Sequence, residues 1–256
     1  MPTQPYTVSE KLVISGQYLE FYDYEIPYWV GYPKLKPTKF RIIQRTPLKS
    51  QEEMRNDNVR RTRIKIRRLV NCNQDLVKFM TLTFAEEVFD LNQSNPLFRA
   101  FIKRMNRRYS DFKYLCVPEF QKNGRVHYHL LCNLPYIKNS ELTELWGHGF
   151  TFIRRINHID NVGAYICKYL GKANFDTRYF KKNKFFYSYN LLRPLVVDKI
   201  DKIADFVLSL PFSDPTKCVQ LKAFEVLTKL VGTLKYYQYR VVDKLRLEEA
   251  VRSLGT

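Results

Sequence analysis

The chain contains no apolar run long enough to cross a bilayer. Its polar start, Met1-Pro-Thr-Gln-Pro, lacks the charged and apolar regions of a secretory signal, so a cytoplasmic protein is expected. Cys72, Cys116, Cys132, Cys167 and Cys218 are scattered without paired spacing, which argues against a zinc knuckle or a disulfide framework and fits a reducing compartment. A glycine-rich phosphate loop, an internal repeat and a low-complexity tract are all missing. Acids are scarce as well: 25 Asp and Glu face 43 Lys and Arg over 256 residues, a formal net charge of +18. Such an imbalance implies a polyanionic partner, most simply nucleic acid, with a membrane surface as the rival.

The 30.7 kDa length suits one catalytic domain with additions at both ends. Residues 9–45 interleave aromatics such as Tyr18, Tyr22, Tyr28 and Trp29 with Lys34, Lys36, Lys39 and Arg41, as short strands or as a surface that stacks bases. Ser50-Gln-Glu-Glu53 fits a capping box that opens a basic helix. That helix carries Arg60, Arg61, Arg63, Arg67 and Arg68, candidates for contact with a nucleic-acid backbone. The spacing predicts a strand over 77–84 and a helix opened by Asn95-Pro96 and running to about Tyr109, whose Lys103, Arg104, Arg107 and Arg108 are further basic candidates. Strands over 113–120 and 125–132 form a hairpin around Lys122-Asn123-Gly124, with Arg125 at its mouth. A short helix over 140–146, a strand over 150–156 and a helix capped by Asp160 and ending at Gly171 complete the order β-α-β-β-α-β, then α.

This order predicts an α+β fold with the split β-α-β pattern of ferredoxin-like domains: an antiparallel sheet, helices on one face, and the other face open to a substrate. The expected division is 1–75 as an accessory region, 76–195 as the catalytic core, and 196–256 as an extension with a helix near 200–210, a strand over 233–242 and a terminal helix.

Alternation sends His127 and His129 to the same face of their strand, so both imidazoles can reach one divalent ion. A three-residue loop at 122–124 pairs Gln121 with Arg125 and therefore sets Glu119 opposite His127, which offers a third ligand. His, His and Glu with open positions suit Mg²⁺ or Mn²⁺ acting on a phosphodiester. His148, between two glycines, reads as a turn residue, and His158 lies near a helix start.

Tyr165-Ile-Cys-Lys168 runs straight into Tyr169-Leu-Gly-Lys172. On a helix the two tyrosines stand one turn apart on one face, as do Lys168 and Lys172. A phenol is a poor nucleophile at neutral pH unless a cation stabilises its phenolate, and the lysines can supply that charge or offset charge building on a phosphate. Tyr165 is the first choice of nucleophile, with Tyr169 a second nucleophile or a helper.

Met80-Thr-Leu-Thr-Phe84, Pro118-Glu119 through Gly124-Arg125-Val126-His127-Tyr128-His129-Leu130-Leu131, and the double Tyr-x-x-Lys unit resemble, in that order, the three motifs of the HUH endonuclease class. Within that class they resemble in particular rolling-circle replication initiators of phage and plasmid type with two active tyrosines. The resemblance spans about residues 76 to 173. It implies a nickase that opens one strand of single-stranded origin DNA, stays on the 5′ phosphate through tyrosine, and hands the 3′ end to a host polymerase in a prokaryotic cytoplasm. It also implies Mg²⁺ or Mn²⁺ on His127, His129 and Glu119, and, as no helicase motif is present, a host helicase. A transposase or relaxase of the same class would make the same nick. A non-catalytic single-strand binder would have no use for this combination of side chains, and a metal-dependent hydrolase would leave no covalent adduct.

Overall fold

A computed structural model describes residues 4–31, 50–156, 162–171, 179 and 183–254. In chain order the elements are β1 (Tyr6–Ser15), β2 (Tyr18–Val30), α1 (Gln51–Cys72), β3 (Lys78–Thr83), α2 (Leu91–Arg108), β4 (Tyr114–Phe120), β5 (Val126–Cys132) and α3 (Asn139–Trp146). They continue with β6 (Thr151–Arg155), α4 (Val162–Gly171), β7 (Phe186–Tyr187), β8 (Leu195–Val197), α5 (Ile200–Ser209), β9 (Cys218–Thr228), β10 (Gly232–Val241) and α6 (Lys244–Ser253). This is an α+β protein with two five-stranded antiparallel sheets. Among the described residues no helix is long and apolar enough to cross a membrane, and all five cysteines are free thiols.

The chain divides into two compact units, residues 49–193 and residues 1–48 with 194–256. This differs from the three consecutive regions read from the sequence. The basic helix α1 belongs to the central unit, and the two chain ends build one sheet, in the order β8-β1-β2-β10-β9. Its joining pair sets Tyr22 of β2 opposite Tyr236 of β10, a pairing far too distant in sequence for local pattern to signal. Helices α5 and α6 close its core through Phe206, Leu247 and Ala250 against Leu12 and Leu19. The long edge strand β9 is absent from the sequence reading, since most of its positions are exposed and it lacks a one-sided apolar pattern.

In the central unit the sheet order is β6-β3-β5-β4-β7, with every neighbouring pair antiparallel. Strand β5 thus lies between β3 and β4, the two strands that α2 connects. Even-numbered residues such as Met80, Tyr128 and Leu130 point into a core closed by Phe98, Phe101 and Met105 of α2 and Trp146 of α3. Odd-numbered Phe79, Val117 and Leu131 point into a second core with Ile66, Leu69 and Val70 of α1 and Ile166 of α4.

The expected open face therefore does not exist: helices cover both sides, and every position of β4 and β5 is buried. The physical reason lies in α1, where a dense run of cations surrounds a narrow apolar stripe at Val59, Ile66, Leu69 and Val70 that is buried all the same. A strand covered on both faces reads as a nearly continuous apolar run, as in Leu130-Leu131.

Helix α1 begins as its sequence dictates. The Ser50 Oγ accepts from the Glu53 N–H at 3.1 Å, and the Ser50 N–H donates to the Glu53 carboxylate at 2.7 Å, a reciprocal capping box. Helix α4 comes close against α1 at Gly163, where an added Cβ would lie 3.1 Å from the Arg67 Cα. The start of α2 is a correction. Asp90, not Asn95, is the cap, its carboxylate accepting from the Asn92 N–H at 3.0 Å, and Pro96 lies inside the helix. The carbonyl left without a Pro96 N–H belongs to Asn92, which is exposed to water.

Asn73 ends α1 and ties it to a distant loop. Only 2% exposed, it donates from Nδ2 to the Leu69 carbonyl at 2.8 Å and the Leu192 carbonyl at 2.9 Å, and its Oδ1 accepts from the Leu192 N–H at 2.9 Å. Asn73→Ala should lower unfolding stability by about 2–3 kcal/mol, because three hydrogen bonds to backbone groups are lost at a buried side chain. Urea denaturation followed by circular dichroism measures this. An unchanged midpoint would show that the tie carries no stability.

Candidate functional site

The hairpin turn decides which side chains share a face. The Gln121 N–H donates to the Arg125 carbonyl at 2.9 Å and the Gly124 N–H to the Gln121 carbonyl at 2.8 Å, with Gly124 at φ 86°, where a side chain would be strained. The three-residue loop sets Glu119 opposite His127, as its length predicts. Across β5, Thr81 stands opposite His129. Glu119, His127 and His129 all lie on the face of the second core, under α1 and α4, and are 5%, 8% and 6% exposed.

The Glu119 Oε2 lies 2.6 Å from the His129 Nε2, a diagonal cross-strand contact, while the His129 Nδ1 is 3.1 Å from the Thr81 hydroxyl. His127 is turned differently: its Nδ1 meets the Gln121 side-chain amide at 3.1 Å, and its ring centre is 6.3 Å from that of His129. Burial pushes the His127 imidazole below its ordinary pKa, with His129 acting the same way and Glu119 opposing. A neutral imidazole is the form that can ligate a cation. In these rotamers no three His, Cys, Asp or Glu side chains among the described residues converge as a metal-binding group. Glu119 and His129 meet, and His127 shares their face but bonds Gln121 instead.

Helix α4 brings the tyrosines onto this group. The Tyr169 ring stacks on the His129 ring, with centres 3.9 Å apart and planes 23° apart, and it also stacks at 5.7 Å on Phe79. Tyr165, one turn earlier, lies 6.2 Å from Tyr169 ring to ring and packs edge-on against Phe79 at 5.2 Å. Burial raises the Tyr169 phenol pKa, and a hydrogen bond to Tyr165 adds to the effect, as expected if Tyr169 is the donor. The Tyr165 oxygen also accepts from the Arg154 Nη2 at 2.6 Å. The Lys168 Nζ is 5.3 Å from the Tyr165 ring centre.

Lys172, His158 and Asp160 fall outside the described residues. His148 sits in the turn after α3, with its backbone carbonyl accepting from the Ala85 N–H at 2.9 Å. Among the basic candidates, Arg60, Arg61 and Arg63 are exposed on α1 and Arg67 and Arg68 are half-buried. Lys103, Arg104, Arg107 and Arg108 lie on α2, which packs on the opposite face of the sheet from the tyrosines.

Arg104 is committed elsewhere, since its guanidinium donates to the carbonyls of Leu145 and Trp146 at 2.7 and 2.9 Å and caps the end of α3. Arg108 pairs with Glu141, and Arg125 with Glu87. The residues that sequence reasoning missed are Arg154, Thr81, Gln121 and Phe79. Strand alternation carries a signal for each, but Arg154 reaches the site only because β6 pairs with β3 and sets it opposite Phe79.

The class these features define is an α+β protein whose central unit holds 27 Lys and Arg against 13 Asp and Glu, and which sets two phenols beside a carboxylate–imidazole pair. Residues 77–174, from β3 through α4, match the family model of replication-associated protein ORF2/G2P, and this likeness supports a replication-initiator role and interaction with DNA. No curated protein and no solved structure gives a significant match.

Arg104→Ala is expected to cost about 1–3 kcal/mol of stability, from two lost carbonyl bonds, while leaving affinity for single-stranded DNA unchanged. The exposed pair on α1 should behave the other way. Arg61→Ala with Arg63→Ala should lower the slope of log affinity against log salt by about 1.4, at roughly 0.7 per lost phosphate contact. Fluorescence anisotropy over a salt series measures the slope, and a slope unaffected by the α1 pair would remove that helix from the DNA-contact surface.

Proposed function

We propose that the chain is an HUH-type rolling-circle replication initiator that nicks single-stranded origin DNA through a tyrosine and later rejoins strands. The observation that carries this reading is contiguity: Glu119, His129, Tyr169 and Tyr165 touch in sequence on one face of one sheet. The segment that supplies them is the one matching the replication-associated family. A transposase or relaxase would use the same chemistry, and the replication match favours the initiator.

In this reading a tyrosine oxygen attacks the phosphorus, the bond from phosphorus to the 3′ oxygen breaks, and the protein stays joined to the 5′ phosphate. Phosphodiester energy is kept in the phosphotyrosine bond, so a 3′ hydroxyl can reverse the step and reseal the strand without ATP. Two phenols in one site allow one to hold the first end while the other cuts again. A free 3′ end feeds a host polymerase, with a host helicase opening the duplex, in the cytoplasm of a prokaryotic cell.

Glu119, His127 and His129 form a donor set that suits Mg²⁺ or Mn²⁺, and such an ion, when bound, supplies charge that polarises the scissile phosphate. An amide flip of Gln121 would let it accept from the His127 Nδ1–H and leave Nε2 as the ligating nitrogen, the usual division of labour between the two ring nitrogens.

The test is incubation of the protein and Mn²⁺ with a mixture of single-stranded oligonucleotides, followed by denaturing electrophoresis. A protein–DNA adduct is expected. Tyr165→Phe with Tyr169→Phe should abolish it, and His127→Ala should remove metal-dependent cleavage while leaving salt-sensitive DNA binding. An undiminished adduct in the double phenylalanine variant would sink the tyrosine assignment.

A further inference from the structure

Resting on the nicking reading above, the geometry points to Arg154 as the positioning residue that makes Tyr165, rather than Tyr169, the first tyrosine to attack. Arg154 comes from β6, an edge strand of the central sheet, where the register sets it opposite Phe79 on the same face as the tyrosines. Its guanidinium Nη2 is 2.6 Å from the Tyr165 oxygen, and its central carbon lies 5.8 Å from the Tyr165 ring centre. Lys168 stands 5.3 Å from the same ring centre, so two cations attend this one phenol. Tyr169 has a different setting: its ring stacks on His129 and also packs on Phe79, which itself stacks on His129.

The chemical consequence follows from what an arginine can and cannot do. It stays protonated at any working pH, so it donates to a phenolate and never takes the phenol's proton. A cationic donor held on the oxygen fixes the direction of its remaining lone pair and stays beside it as the new bond to phosphorus forms. As Tyr165 attacks, the bond between its oxygen and phosphorus forms, the bond from phosphorus to the 3′ oxygen breaks, the phenolic proton leaves to water, and the 3′ oxygen takes a proton from water. Arg154 keeps its own protons throughout, and its other N–H groups can then hold the phosphate now joined to Tyr165.

The sequence itself offers the readout, because trypsin cuts after Lys168, between the two tyrosines. Unaltered protein with Mn²⁺ and a randomised pool of single-stranded oligonucleotides is quenched within the first turnover, and the adduct is digested and mapped by mass spectrometry. DNA is expected mainly on the peptide holding Tyr165. Arg154→Gln should lower that adduct by about 10- to 100-fold, the range for a hydrogen bond to a charged group, while the adduct on Tyr169 persists. Arg154→Lys should restore part of the loss. Arg154 is exposed, so both variants should keep the thermal midpoint of the unaltered protein.

A first-turnover adduct on Tyr169, an unchanged partition in Arg154→Gln, or equal losses at both tyrosines would overturn the assignment while leaving tyrosine nicking in place. Absence of any adduct from the unaltered protein would overturn the nicking reading, and this assignment with it.

Discussion

The register of one hairpin governs the chemistry available to this protein. In a strand the side-chain period is two residues, so a slip of a single position between β4 and β5 would send Glu119 to one face and leave the histidines on the other. The loop at 122–124 prevents that slip, and Gly124 supplies the positive φ that closes it. Once Glu119 stands opposite His127, the diagonal contact to His129 follows from cross-strand geometry. The later contacts of Thr81 and Tyr169 with His129 depend on that arrangement.

Covering that face shapes the site as much as the hairpin does. Helices α1 and α4 bury the second sheet face, and the missing side chain at Gly163 lets them approach closely. The acid and both imidazoles are therefore held in a largely dry setting, and the largest cause that lowers the His127 pKa also raises that of Tyr169: burial disfavours the charged form. Arg154 and Lys168 lie at the Tyr165 side of the cluster. The two phenols, although one turn apart on one helix, consequently meet different electrostatic surroundings.

Charge is divided unequally between the two units. The central unit carries a formal +14 of the chain's +18, so the attraction for a polyanion resides mainly with the unit that holds the candidate site. Individual cations are not equivalent within it. Arg104 closes the end of a helix and Arg60, Arg108 and Arg125 are paired with acids, whereas Arg61 and Arg63 are exposed on the helix that lies over the site's face of the sheet. Composition records the total, but only packing sorts structural cations from those that can meet a ligand.

The local features were legible in the residues alone. Ser50 and Glu53 mark the start of α1, the loop length sets the Glu119–His127 register, and the spacing of Tyr165 and Tyr169 places both on one helical face, because each depends on neighbours a few positions apart. Contacts between distant segments were not legible. The pairing of β6 with β3 brings Arg154 to Tyr165, the packing of α1 closes a sheet face that the order of elements suggested was open, and β2 with β10 unites the chain ends in one sheet. Short-range spacing is written in backbone geometry, whereas these three outcomes rest on which apolar surfaces find each other across many residues, a choice made by the folded core as a whole.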